Sequence, residues 1–171
     1  FHHRRDAFCG KFSVMDVFCQ YGVRFTTFQP HVVAPSAPTF LQHVRWFAAV
    51  CRVVGRMRRL VVGAIGARTT AFKTVRFDEL ALQRAGITTE ALDLSEVFRR
   101  WRDVKEKGEA FAARAKRLKG YTSWAGVPRE KFSRLVRLSV VLDDIIREYD
   151  LGAIALRCWI ELEKEIGVAP C

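Results

Sequence analysis

Residues 60–70 read LVVGAIGARTT, and this segment indicates the architecture of the chain more clearly than any other. Its first six residues, Leu60–Ile65, form an apolar run between an arginine-rich flank and a glycine. Such a run is typical of a buried strand in a parallel sheet. Gly63 and Gly66 predict a tight turn from this strand into a helix. The same two glycines are also compatible with a loop whose backbone N–H groups approach a phosphate or a sugar hydroxyl.

Strand and helix alternate on the C-terminal side of this run. We predict further strands over Ile87–Leu92 and Ala153–Cys158, and helices over Phe72–Ala85, from Asp93 onward, and over Lys105–Leu118, Pro128–Tyr149 and Glu161–Ile166. This order predicts an α/β fold, a Rossmann-like three-layer arrangement in which helices cover a parallel sheet. Because ligands of such sheets bind beyond the carboxyl ends of the strands, Gly66–Thr70 and Cys158-Trp159 are expected at the cleft.

The N-terminal third shows a different pattern. We predict a helix over Ser13–Tyr21, a strand over Val23–Phe28, a proline-rich linker over Gln29–Pro38 and a helix from Thr39 to Gly55. Residues 1–55 are interpreted as the C-terminal tail of one α/β domain with a linker helix. Residues 56–171 are interpreted as most of a second α/β domain, truncated at its C-terminal end. Because the first residue is Phe1 rather than Met, we expect a segment of a longer protein.

The composition is that of an ordinary globular protein, since 50% of the 171 residues are apolar and 27% are charged. It excludes a disordered tail and a disulfide-dense miniprotein. The net charge of +11 leaves a basic α/β module for nucleic acid open as an alternative. The cysteines form no C-x-x-C pair, and no apolar run approaches the roughly 18–20 residues of a membrane span. We therefore expect a cytoplasmic protein with no membrane partner.

The chemistry-bearing residues near the predicted strand ends are few. The G-x-G-x-x-G spacing is absent, so Asp93, after the next predicted strand, is only a weak candidate for a ribose-binding acid. Arg68 lies on the predicted loop, whereas Arg76 and Glu79 are three residues apart and could pair along the predicted helix. Trp159 could equally pack in the core or stack on a ligand.

Two stretches carry a resemblance to a known family. The first is GAIGARTTAFKTVRFDE (residues 63–79) followed by GITTEALDLSEV (residues 86–97), and the second is AIALRCW (residues 153–159) followed by GVAPC (residues 167–171). In this order and spacing the chain resembles the L-fucose isomerase-like family, related to L-fucose and L-arabinose isomerases. The segment FCGKFSVMDVFCQYGVRF (residues 8–25) is similar to the end of that family's first domain.

The resemblance implies a metal-dependent isomerase that interconverts an aldose and a ketose through an enediol. Such enzymes have three α/β domains, commonly form homo-oligomers and hold a divalent ion, often Mn²⁺, with two carboxylates and a histidine. The resemblance places all of these ligands beyond Cys171. We therefore name no metal ligand or catalytic residue in this chain and expect the chain alone to be inactive. A non-catalytic sugar-binding relative is a further alternative.

The resemblance also gives six substrate-binding candidates, because they lie in its two most specific segments. They are Arg68, Phe72, Arg76, Glu79, Cys158 and Trp159. The competing interpretation is that these residues only fix the turn and the packing of the helix that follows it.

Overall fold

The computed structural model describes residues 7–69 and 71–170. Its elements follow in this order: α1 (Ala7–Gln20), α2 (Pro38–Met57), β1 (Leu60–Ile65), a 3₁₀ turn (Lys73–Val75), α3 (Glu79–Arg84), β2 (Ile87–Leu92), α4 (Leu94–Asp103), α5 (Glu109–Tyr121), α6 (Arg129–Glu148), β3 (Ala153–Leu156) and α7 (Glu161–Ile166). The chain divides into two compact units, Phe1–Gly55 and Arg56–Cys171. The assignment of the two units to particular domains stays a prediction.

The second unit is built on a three-stranded parallel sheet with the order β2-β1-β3. Along β1, Leu60 lies opposite Ile87 and Ile65 lies opposite Leu92. On the other side, Ile65 lies opposite Leu156 of β3. The carboxyl ends of all three strands therefore meet at one edge, and the predicted α/β fold with a parallel sheet flanked by helices is confirmed.

The hydrophobic core of this unit joins the sheet to α4, α6 and α7. Ile65 of β1, Val97 of α4 and Leu162 of α7 are fully buried and belong to one cluster. Leu138 and Ile145 of α6 are 1% exposed in the same cluster. Full burial of one such aliphatic side chain contributes about 1.5–3 kcal/mol. The core therefore fixes the position of the sheet edge at which the strands end.

In the described part of the first unit, residues 7–55, two helices are joined by irregular chain. Neither α1 nor α2 contains a buried residue. The strand predicted over Val23–Phe28 is wrong, because these residues are irregular. A strand needs a partner for its backbone hydrogen bonds, whereas here Phe28 stacks on His43, with ring centroids 4.5 Å apart. No helix in the described ranges is long and apolar enough to cross a membrane.

The segment after β1 differs from its prediction. The predicted tight turn into a helix is wrong, because residues 66–69 and 71–78 hold only the 3₁₀ turn among the described residues. The helix predicted over Phe72–Ala85 is confirmed only for its C-terminal part, since α3 begins at Glu79 and ends at Arg84. The Asp78 carboxylate accepts a hydrogen bond of 2.9 Å from the Ala81 N–H, and this cap starts the helix. Strand β3 ends at Leu156, two residues earlier than predicted.

Candidate functional site

Two clefts lie at the carboxyl ends of the strands, on either side of the connection between β1 and α3, described over residues 66–69 and 71–78. The first, which we call the aromatic cleft, has a volume of about 520 Å³ and lies between this connection and the residues that follow β3. The second, which we call the charged cleft, has a volume of about 650 Å³ and lies between the connection and the end of β2. Arg68 lines both clefts and therefore lies where they meet.

Phe72 and Trp159 form one wall of the aromatic cleft. Their ring centroids are 5.2 Å apart and their planes are tilted by 49°. Phe72 is 41% exposed and Trp159 is 47% exposed, so each ring presents part of its surface to the cleft. Cys158 is half-buried in the same lining. Half-exposed aromatic rings of this kind can pack against the apolar face of a small ligand.

The charged cleft is lined by side chains of both signs, which include Arg76, Glu79 and Asp93. Arg76 has extended backbone outside α3, and in the described parts of the chain no ion pair joins it to Glu79. The Asp93 carboxylate accepts a hydrogen bond of 2.7 Å from the Ser95 N–H and caps α4. Hydrogen bonds from Ser95 hold the pKa of Asp93 below its ordinary value.

The structure brings all six residues singled out from the sequence to these two clefts. Arg68 lines both clefts, Phe72, Cys158 and Trp159 line the aromatic cleft, and Arg76 and Glu79 line the charged cleft. Residues that lie almost 90 positions apart in the chain are therefore neighbours, because β1 and β3 are adjacent parallel strands. Their roles toward a substrate stay a prediction.

Backbone hydrogen bonds at Ile65 and Gly66 join the three strand ends. The Gly66 N–H donates a hydrogen bond of 2.7 Å to the Leu92 carbonyl, while the Arg157 N–H donates one of 2.9 Å to the Ile65 carbonyl. Gly66 has φ of 81°, and a Cβ atom there would lie 2.8 Å from the Leu94 side chain. Its N–H group is thus used within the fold, which disfavours the nucleotide-binding alternative at this glycine.

Arg157 is a cleft residue that the sequence reasoning missed. Its Nε donates a hydrogen bond of 3.1 Å to the Trp159 carbonyl, and its Nη2 lies 2.7 Å from Glu161 Oε2. The Arg157 side chain is 23% exposed, so this ion pair holds the chain segment that carries Cys158 and Trp159. The available signal was its position near the end of the predicted third strand.

A resident metal ion needs several donor side chains that converge on one point. Within residues 7–69 and 71–170, no three His, Cys, Asp or Glu side chains converge in a way that could hold an ion. Two carboxylates at or near the clefts are engaged elsewhere, since Asp93 caps α4 and Glu161 pairs with Arg157. The described part of the chain therefore does not fit a metal ion by itself.

Comparison with known proteins shows what this chain is similar to. The family model described as "Fucose/sulfoquinovose isomerase, N-terminal domain" matches residues 1–58. The chain is also 26% identical over 123 residues to the sulfoquinovose isomerases of Priestia aryabhattai and of Priestia megaterium (strain ATCC 12872 / QMB1551). The resemblance to fucose isomerase-like proteins is confirmed. The match covers 71% of this chain, and the chain spans about a quarter of the length of these relatives, 27%.

Proposed function

We propose that this chain is a segment of a sugar isomerase that interconverts an aldose and a ketose, and that the two clefts are its contribution to the sugar site. The observation that carries the proposal is the convergence of both family-like segments, residues 63–79 and 153–159, on one sheet edge. The similarity to sulfoquinovose isomerases supports the same reaction class. A basic nucleic-acid module is not favoured by these comparisons.

In this proposal the chain's own residues bind and orient the sugar. The ring faces of Phe72 and Trp159 pack against its C–H groups, which releases water from two apolar surfaces. Arg68, where the clefts meet, donates hydrogen bonds to sugar oxygens. On the side of the charged cleft, Arg76 donates hydrogen bonds to the sugar and Glu79 accepts them. Arg157 acts as a positioning residue because it holds the backbone of Trp159.

We further propose that the complete protein uses a divalent cation such as Mn²⁺, held by residues outside the described ranges. When bound, such an ion polarises adjacent sugar oxygens and eases removal of the C2 proton, so that an enediol can form. Assembly into a homo-oligomer and a cytoplasmic location belong to the same proposal. L-Fucose, L-arabinose and sulfoquinovose are the first substrates to assay.

The test of the sugar-binding role uses the complete protein that contains this segment. We expect Trp159→Ala to raise the KM for the sugar roughly threefold to tenfold, the loss of one aromatic packing contact of about 0.5–1.5 kcal/mol. The control is Tyr121→Ala, because Tyr121 is 86% exposed and lies on α5, away from both clefts. Equal KM values in the two variants would contradict the proposed role of Trp159.

A second variant tests Arg68 separately from the aromatic wall. We expect Arg68→Ala to lower kcat/KM at least tenfold, because a charged hydrogen bond contributes about 1.5–3 kcal/mol. Thermal unfolding of the same variant shows whether the fold is preserved. If turnover is unchanged while the midpoint temperature falls, Arg68 serves packing only and the substrate role is wrong.

A further inference from the structure

A small groove between α5 and α6 is lined by three arginine side chains and lies outside the proposed sugar site. It has a volume of about 210 Å³ and is lined by Ala110, Ala113, Arg114 and Arg117 of α5 and by Val140, Asp143 and Arg147 of α6. We call it the arginine groove. It shares no lining residue with the aromatic or the charged cleft.

The charges that line the arginine groove do not balance. Three guanidinium groups face one carboxylate, an excess of two positive charges. Arg114 pairs with Asp143, and Arg147 pairs with Asp144 on the neighbouring turn. No ion pair involves Arg117 among residues 7–69 and 71–170. At least one guanidinium group of the groove therefore has its charge uncompensated by the fold.

The three arginines are close enough to repel one another, and Arg114 is largely shielded from water. The Arg114 side chain is only 17% exposed. Burial, followed by the positive charges of Arg117 and Arg147, lowers the pKa of Arg114. An arginine stays protonated under such conditions, so the repulsion remains in the folded protein. A bound anion would relieve this repulsion.

The shape of the groove leaves room for that anion. Ala110 and Ala113 present only methyl groups on the α5 side, so the space between the guanidinium groups is open. On the opposite side, the Arg147 Nε donates a hydrogen bond of 3.2 Å to the Asp143 carbonyl, which holds its guanidinium group at the groove. Planar guanidinium groups bind tetrahedral oxyanions through two parallel hydrogen bonds to two oxygens, and a single-atom anion such as chloride does not match this geometry.

We propose that the arginine groove is a binding site for a phosphate-type oxyanion, contacted by Arg117 and Arg147 and supported by Arg114. The ligand is free inorganic phosphate or the phosphate group of a small phosphomonoester, which share the chemistry that the groove recognises. The site shares no lining residue with the sugar clefts, so its binding test does not depend on the proposed isomerase activity.

Calorimetric titration of the 171-residue chain tests this site. Inorganic phosphate and glycerol phosphate are titrated separately, with ionic strength held constant by chloride. We expect saturable binding at one site per chain, and the tighter of the two ligands identifies the source. Arg117→Ala should weaken this binding about tenfold or more, the loss of one charge-assisted contact.

Two further variants make the outcome decisive. Arg102→Ala removes another exposed arginine, on α4 and outside the groove, and should leave phosphate affinity unchanged. Ala113→Glu keeps all three arginines but adds a carboxylate to the groove, and should abolish binding. Absence of saturable binding to either ligand overturns the proposal. An equal loss in Arg117→Ala and Arg102→Ala, which indicates general surface charge only, also overturns it.

Discussion

Gly66 is the residue on which the geometry of both clefts depends most directly. Its φ of 81° lies in the left-handed region, and a Cβ atom would lie 2.8 Å from Leu94 and 3.0 Å from Arg157. We predict that Gly66→Ala lowers the free energy of unfolding by about 2–4 kcal/mol, because backbone strain and overpacking add. Urea unfolding of the chain measures this change.

Gly120→Ala is the matched control for that substitution. Gly120 lies inside α5, and nothing comes within 4 Å of a Cβ atom built there. Alanine at this position should leave stability unchanged or raise it by up to about 1 kcal/mol, through helix propensity. If both glycine variants lose the same stability, close approach at Gly66 is not what constrains the sheet edge.

At the level of single residues, the sequence correctly predicted the location of side chains that follow strands. Arg68, Cys158 and Trp159 could be assigned to the sheet edge because parallel strands bring their carboxyl ends together. Arg157 was missed because the predicted strand ran through it. Its role depends on an ion pair with Glu161, and the sequence analysis did not predict that ion pair.

Helix α6 supplies side chains that pack in the hydrophobic core beside the sheet. Leu138 is 1% exposed in the central cluster. We predict that Leu138→Ala destabilises the second unit by about 2–5 kcal/mol, since it removes buried contacts and leaves a cavity. The control is Leu80→Ala on α3, where Leu80 is 65% exposed and the change should stay within about 0.5 kcal/mol. Urea unfolding compares the two, and comparable losses would contradict this assignment of the core.

At the level of elements, the prediction succeeded where one pattern dominated. The limits predicted for β1 and β2, Leu60–Ile65 and Ile87–Leu92, are the observed ones. The prediction failed at residues 72–78, where Phe72 and Phe77 line clefts rather than a helix face. Asp78 was the missed local signal, since its carboxylate caps α3 and separates that helix from the connection before it.

At the scale of the whole molecule, the two units differ in how much they bury. Helix α6 contains five buried residues, whereas α1 and α2 contain none. Backbone amides in well-buried elements are protected from hydrogen exchange. We therefore predict that amides of α1 and α2 exchange with solvent at least a hundredfold faster than those of α6 in the 171-residue chain. Hydrogen exchange followed by mass spectrometry measures this, and equal protection in α2 and α6 would contradict it.

Acid should destabilise the molecule through carboxylates that the fold holds charged. The Ser133 hydroxyl and then Arg137 lower the pKa of Glu106, and Arg100 lowers that of Glu148. A lowered folded-state pKa contributes stability that is complete above the unfolded value, about 4.3, and is lost as pH falls through the folded value. We predict that the unfolding temperature falls as pH drops from about 5 toward 2.

A single variant separates these carboxylates from general acid effects. Glu148→Gln should lower the unfolding temperature at neutral pH and shrink the further fall on acidification, because one of the groups that titrate is gone. The other carboxylates keep the rest of the pH dependence. If Glu148→Gln leaves the acid dependence unchanged, the Arg100–Glu148 pair does not contribute in the way described.

The claim that this chain belongs to a sugar isomerase is tested most directly by the activity of the complete protein. The measurement is the rate of aldose-to-ketose conversion of sulfoquinovose, L-fucose and L-arabinose, after chelation and again after addition of Mn²⁺. We predict conversion of at least one of these sugars, lost on chelation and restored by Mn²⁺. No conversion of any of them with metal present, together with tight and strongly salt-dependent binding of nucleic acid, would contradict the account.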